Sequence, residues 1–148
     1  MAERRRGELT PLEIMERLSA TWFPDAMGDL ATAREWVQVF DDDIVLIEPE
    51  SLPHGGRHQG LPAFEEVQAG MRALWDQRIE GADYWLCAQD RVALRIEIRW
   101  TARATGRTVV LPMIDLMRFR DGRIVEIEVF LHDTKVLLDT LDPLDPVD

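Results

Sequence analysis

Between Ile79 and His132 the chain repeats one pattern four times: apolar and polar residues alternate, and short turn signals interrupt them. In RVALRIEIRWTA, the residues Val92, Leu94, Ile96, Ile98 and Trp100 alternate with Arg91, Arg95, Glu97 and Arg99. A period of two is the side-chain repeat of a β-strand, so one face is core and the other is wet or meets a partner. ADYWLCA, RTVVLPMIDLMRF and RIVEIEVFLH read as three further strands. ATGR at 104–107 and RDGR at 120–123 supply the Gly and Asp that tight turns require, joining the last three strands as hairpins. A sheet with one apolar face must be covered, and the earlier part of the chain supplies the cover.

There, TPLE at Thr10 to Glu13 is a capping box with Pro at the first helical position, and Leu12, Ile14, Met15, Leu18 and Trp22 form an apolar stripe. It predicts a first helix ending near Phe23 and Pro24. Gly28 and Asp29 open a second helix with Leu30, Ala33, Trp36, Val37 and Phe40 on its buried side. An acidic turn, Asp41 to Asp43, leads to the strand IVLIEPE, in which Ile44, Leu46, Glu48 and Glu50 share a face. Pro49 ends its regular pairing or places it at an edge. SLPHGGRHQG reads as a loop with at most a short strand, and a third helix is predicted from about Pro62 to Trp75 on the spacing of Phe64, Val67, Met71 and Leu74. Asp133 and Thr134 cap a last short helix through Leu141.

Three helices followed by a curved antiparallel meander make an α+β architecture in which helices cover one sheet face. Such a sheet encloses a cone with an apolar interior, suited to a small hydrophobic ligand. The 148 residues are read as one domain, with a frayed arm at 1–8 and a polar tail at 142–148. A net charge of −11 opposes a nucleic-acid partner, because phosphate binding relies on clustered Lys and Arg. No apolar run approaches the roughly 20 residues that span a bilayer. A cytoplasmic protein without a membrane partner is the expectation. The single cysteine, Cys87, forms no intrachain disulfide and is expected to fill core space in a strand.

Within VVLPMIDLMRF, alternation places Val109, Leu111, Met113, Asp115, Met117 and Phe119 on one side. Asp115 therefore lies between two methionines, where a carboxylate must be neutralised, paired or used. Glu48 stands on the apolar-patterned face of its own strand, and its place before Pro49 fits a solvated edge as well as a pocket base. His54 and His58 are spaced like a helical metal pair, but the Gly pair between them removes the helix. They suit a surface loop or a pocket mouth, and no metal or other cofactor is expected.

The segments GDL at 28–30, DDDIVLIEP, LPHGGRHQG, TVVLPMIDLMRF and DGRIVEIEVFLHDT resemble those of the nuclear transport factor 2-like (NTF2-like) superfamily, and within it the SnoaL-like and ketosteroid isomerase-like proteins. The resemblance spans Leu12 to Leu141. It implies the cone fold, a homodimer through the outer sheet face, and one of several chemistries: isomerase, polyketide cyclase, dehydratase, epoxide hydrolase or ligand binding without catalysis. In the isomerases, Glu48 would correspond to the carboxylate that shuttles a proton beside an enolisable carbonyl, and Asp115 to the protonated Asp of the oxyanion hole. Ketosteroid isomerase is a standard worked case of a carboxylic acid kept neutral by an apolar site, so this logic comes with the resemblance.

Three features depart from the family pattern. Glu stands where the isomerases have Asp, and the first helix offers Thr21 or Trp22 where they carry the oxyanion-hole Tyr; the only tyrosine, Tyr84, lies elsewhere. The acid that SnoaL-type cyclases take from the last strand is also missing from the apolar face of Val125, Ile127, Val129 and Leu131. The reading that results is a cofactor-independent enzyme moving protons on an apolar cyclic ketone or polyketide-like compound, with Glu48 and Asp115 catalytic. Trp22, His54, His58, Tyr84, Trp100, Met113 and Met117 are its expected substrate contacts. Tryptophans such as Trp22, Trp75, Trp85 and Trp100 are more often core than substrate platforms.

Overall fold

The computed structural model describes residues 7–21 and 39–142. The predicted second helix, from Gly28, and Trp22 lie outside these residues. The first helix, α1 (Pro11–Thr21), begins with the reciprocal capping box: Thr10 N donates to Glu13 Oε2 at 2.8 Å and Glu13 N donates to Thr10 Oγ1 at 3.2 Å. A cap of this kind is worth about 1 kcal/mol. Ile14, Met15 and Leu18 are buried, whereas Leu12 from the expected stripe is exposed.

Strand β1 (Phe40–Glu48) is followed by β2 (Gly56–Gln59), helix α2 (Leu61–Leu74), β3 (Trp75–Ala88), β4 (Arg91–Ala102), β5 (Thr108–Arg120), β6 (Arg123–Leu131) and the short helix α3 (Thr134–Asp139). The acidic run Asp41–Asp43, expected as a turn, is part of β1, and Trp75, expected to end a helix, begins β3. Asp133 accepts from Val136 N at 3.1 Å and caps α3 as the sequence indicated.

All six strands form one open sheet in the order β2-β1-β6-β5-β4-β3. The β3–β6 meander is antiparallel throughout, and the β5–β6 turn is the tight hairpin that RDGR signals, with positive φ at both Asp121 (52°) and Gly122 (73°). The β1–β6 pair is parallel, a non-local contact with no local sequence signature. Helices α1 and α2 pack on this sheet, giving the α+β layers expected. Between them lies a core that includes Ile14, Ile44, Trp75, Ile98 and Ile124, each with no exposed surface. Burying one such aliphatic side chain contributes on the order of 1.5–3 kcal/mol.

A bulge decides which residues of β3 face inward. Gln77 pairs with Trp100 and Ile79 with Ile98, but the register shifts between Ile79 and Gly81. The extra residue reverses the parity of the strand, so Tyr84, opposite the buried Leu94, turns to the core side while Trp85, opposite Ala93, turns outward. Trp85 and Cys87, expected as core, are exposed for this reason and because β3 is an edge strand.

Candidate active site

The concave side of the sheet encloses a cavity whose walls are almost wholly apolar: Leu46, Leu94, Ile96, Ile98, Ile127 and Val129 all contribute. Alternation puts these residues on one side of their strands, as the sequence pattern requires. Two carboxyls enter the same space. Asp115 on β5 pairs with Leu94 on one side and Val129 on the other, and Met113 and Met117 join it in the lining. Glu48, one residue beyond the Ile47–Glu128 pair, ends β1 two strands away, with β6 between. Strands stand about 4.8 Å apart, so the two backbones are separated by roughly 10 Å and the side chains converge from opposite sides of Val129.

Glu48 is only 6% exposed, which rules out the solvated-edge role that Pro49 allowed. Burial, and secondarily the charge of Asp115, push its carboxyl up to about 8. Burial pushes Asp115 up to about 7. Neither shift needs special chemistry: a carboxylate in an apolar cavity loses its hydration, and two carboxylates in one cavity repel. Asp115 Oδ1 is buried and has no hydrogen-bond partner among the described residues.

His54 lines the cavity beside Glu48, with its Nε2 3.7 Å from Glu48 Oε2, too long for a hydrogen bond. Burial, and then the nearby His58, lower its pKa to about 4, so between about pH 4 and pH 8 it is neutral while Glu48 holds its proton. The contact is therefore between two neutral groups and not a salt bridge. His54 is held by a tight loop in which Leu52 N donates to Pro49 O at 3.1 Å and Gly55 N donates to Leu52 O at 2.9 Å. A Cβ at Gly55 would collide with the carbonyl oxygens of Pro49 and Glu50, so this close wrap requires glycine.

His58 does not line the cavity. Its Nε2 lies 2.9 Å from His54 O and 3.1 Å from Gly55 O; both are acceptors, so this nitrogen carries the proton and the ring ties the loop to β2. Tyr84, expected as a substrate contact, packs at the border of the core and is likewise absent from the lining. Among the described residues no group of three His, Cys, Asp or Glu side chains is placed to hold a metal ion. The inner face of β6 presents Ile127, Val129 and Leu131 to the cavity and brings no acid.

Trp100 lines the cavity, with its ring edge-on to Trp75 at 5.6 Å between centroids. Gln77 opposite it is a lining residue that the sequence reading missed. Its position two residues into an inward-facing stretch of β3 could have revealed it, had the strand been started at Trp75.

The family model of the SnoaL-like domain matches residues 23–127. Among solved structures, an NTF2-like protein from Burkholderia xenovorans LB400 is similar over 92% of this chain and 100% of its own, at 19% identity and a TM-score of 0.74. TerC, co-crystallised with polyporic acid, is similar over 88% and 96%, at 18% identity and a TM-score of 0.72. A candidate polyketide cyclase from Xanthomonas campestris pv. campestris is similar over 86% and 96%, at 16% identity and a TM-score of 0.69. No curated protein is significantly similar in sequence.

Proposed function

The chain belongs to the SnoaL-like domain family, and from that premise we propose that it is a cofactor-independent enzyme moving protons on an apolar cyclic ketone or polyketide-like small molecule. One observation carries the reading: Glu48 and Asp115 share one apolar cavity with raised pKa values of about 8 and about 7. Near neutral pH such a pair holds roughly one proton between its two members, which titrate together. One carboxyl is then a donor and the other a base, the two functions that enolisation needs.

A ligand carbonyl placed at Asp115 Oδ1 draws the shared proton there, because a hydrogen bond from the neutral acid favours that form. Glu48 is left as the carboxylate. It removes a proton from the carbon next to the carbonyl, the electron pair moves onto oxygen, and Asp115 stabilises the enolate by donating to it. Return of the proton to another carbon completes an isomerisation; attack of the enolate carbon on a second carbonyl forms the new carbon–carbon bond, and the proton held by Glu48 passes to the resulting alkoxide to complete a cyclisation. The candidate polyketide cyclase of the same fold makes cyclisation a natural outcome.

A second reading, a ligand binder without catalysis, is favoured by the absence of Tyr84 from the cavity lining. Planar phenols, which mimic enolates, separate the two. The enzyme reading expects wild type to bind them and Asp115→Asn to weaken them by about 10-fold or more, whereas equal binding by both proteins refutes Asp115 as the donor.

We also propose that the outer sheet face pairs with a second copy of the chain. Val110, Ile114 and Phe130 are exposed there, with Ile114 and Phe130 directly opposite each other. A two-fold axis running along β5 would lay β4, with Arg91, Arg95 and Arg99, over the partner's β6, with Glu126 and Glu128. Ile114→Asp should shift the molecular mass in solution from dimer to monomer, and a monomeric wild type would refute the pairing.

A further inference from the structure

Leu94 pairs with Asp115, and Trp100 lies six residues further along the same strand. At about 3.3 Å per residue that is roughly 20 Å of strand, so the cavity extends well beyond Asp115; on its Glu48 side it is shorter, since the His54 ring beside Glu48 stands 6.2 Å from that of Trp75, which is 5.6 Å from that of Trp100. At this end, away from Asp115, Trp100 is only 3% exposed, and its indole Nε1 is buried with no hydrogen-bond partner among the described residues. The neighbouring indole makes a useful control. Trp75, packed edge-on against Trp100, donates from Nε1 to Thr140 Oγ1 at 2.9 Å, so an indole in this core that serves structure alone has been given an acceptor. Gln77 stands directly across from Trp100, is 8% exposed, and its amide nitrogen meets only Met71 Sδ at 4.0 Å, a weak acceptor.

The structure assigns a second hydrogen-bonding subsite to this end of the cavity, formed by the Trp100 indole N–H and the Gln77 amide, and with it a substrate carrying oxygen at both ends of an apolar body. The inference rests on Glu48 and Asp115 as the reactive end. Trp100 supplies only a donor, so the remote ligand atom is an acceptor, a carbonyl, phenol or ether oxygen. Gln77 offers both a donor and an acceptor and admits a carbonyl or a hydroxyl. A buried donor left unmade carries a desolvation penalty, and a ligand oxygen that fills it relieves that penalty on binding. The apolar walls of Ile96 and Ile98 lie between the two polar ends and suit the carbon skeleton. A hydrocarbon ring system with one ketone satisfies only half of this arrangement.

The test compares the mono- and di-para-hydroxy forms of biphenyl and of terphenyl, titrated into the full chain at a pH where the phenols are neutral. In wild type the second hydroxyl of the form that spans the cavity should raise affinity by about 3- to 10-fold, one hydrogen bond's worth. In Trp100→Phe, which keeps an aromatic ring and removes the N–H, the ratio of di- to mono-hydroxy affinity should fall to near one. Proton–nitrogen correlation spectra of wild type need no variant to fold: the Trp100 indole N–H signal should move downfield with the di-hydroxy probe and not with its mono-hydroxy parent. Mono-hydroxy binding with no gain from a second oxygen at either length would overturn the subsite and leave the carboxyl reading standing. So would a gain that persists in Trp100→Phe with an unmoved indole signal. If no phenol binds at all, the carboxyl reading itself falls and takes the subsite with it.

Discussion

The two faces of one sheet treat the same functional group in opposite ways. On the outer face Glu126 accepts from Arg118 Nη2 at 3.0 Å, Glu97 meets Arg95 at 3.3 Å, and Glu80 pairs with Arg99. These pairs are all partly open to water, and such contacts contribute little. On the inner face Glu48 and Asp115 share one apolar cavity, and their protons are held to about 8 and about 7. Asp115 and Arg118 stand three residues apart on β5 and face opposite sides of it. The pleat thus separates solvent chemistry from cavity chemistry along a single strand.

The largest test of this contrast moves a carboxyl across the sheet. Asp115→Asn should lower kcat/KM on an enolisable ketone substrate by about 100- to 1,000-fold, the usual cost of losing one oxyanion donor. Adding Leu116→Asp to that variant restores the charge on the outer face and should rescue nothing; a rescue would show that position in the cavity is irrelevant. Glu48→Gln should cost about 100-fold or more in kcat, read from initial rates over a range of ketone concentrations.

The next effect is on stability. A carboxyl lifted from 3.8 to about 7 binds its proton more tightly when folded, so stability is highest at acid pH and falls as the pH rises through the folded value. For Asp115 this amounts to roughly 4 kcal/mol between pH 4 and pH 8. Urea unfolding at pH 5 and pH 9 should show the loss in wild type and a clear reduction of it in Asp115→Asn. His54 carries the opposite sign. Lowered to about 4, it stays neutral in the fold, so its contribution is full above pH 6.5 and is lost as the pH falls toward 4, by roughly 3 kcal/mol. Unfolding curves of His54→Gln should therefore lose less stability than wild type between pH 6.5 and pH 4. Smallest of all, Glu126→Gln on the outer face should change stability by less than about 1 kcal/mol and leave phenol binding unaltered.

Asp115 was legible in the sequence because a period of two is unambiguous across VVLPMIDLMRF, and one face of that strand is apolar apart from it. The capping box and the RDGR turn were legible for the same reason: their chemistry lies within four residues. Glu48 was only half legible, since Pro49 permits an edge, and the parallel pairing with β6 that buries it links residues some 80 positions apart. The place of His54 depends on a loop closing around Gly55, a steric fit that no pattern of residue types expresses. Trp85 was misjudged because a bulge between Ile79 and Gly81 exchanges the faces of the residues that follow it; Tyr84 is turned to the core side by the same bulge but packs at the border of the core, outside the cavity lining. Trp100 could be named from alternation, but that its N–H lacks an acceptor among the described residues while that of Trp75 has one is visible only in three dimensions.

The central claim is that two carboxyls in one cavity, Glu48 and Asp115, keep a proton near neutral pH. Carbon NMR of the side-chain carboxyls, followed from pH 3 to pH 10, reads this directly. Two resonances titrating between about pH 6 and pH 9, one lost in Asp115→Asn and the other in Glu48→Gln, is the result the account requires. A protein in which every carboxyl titrates below pH 5 would contradict it, because neither Glu48 nor Asp115 would then have an acid proton to give near neutral pH.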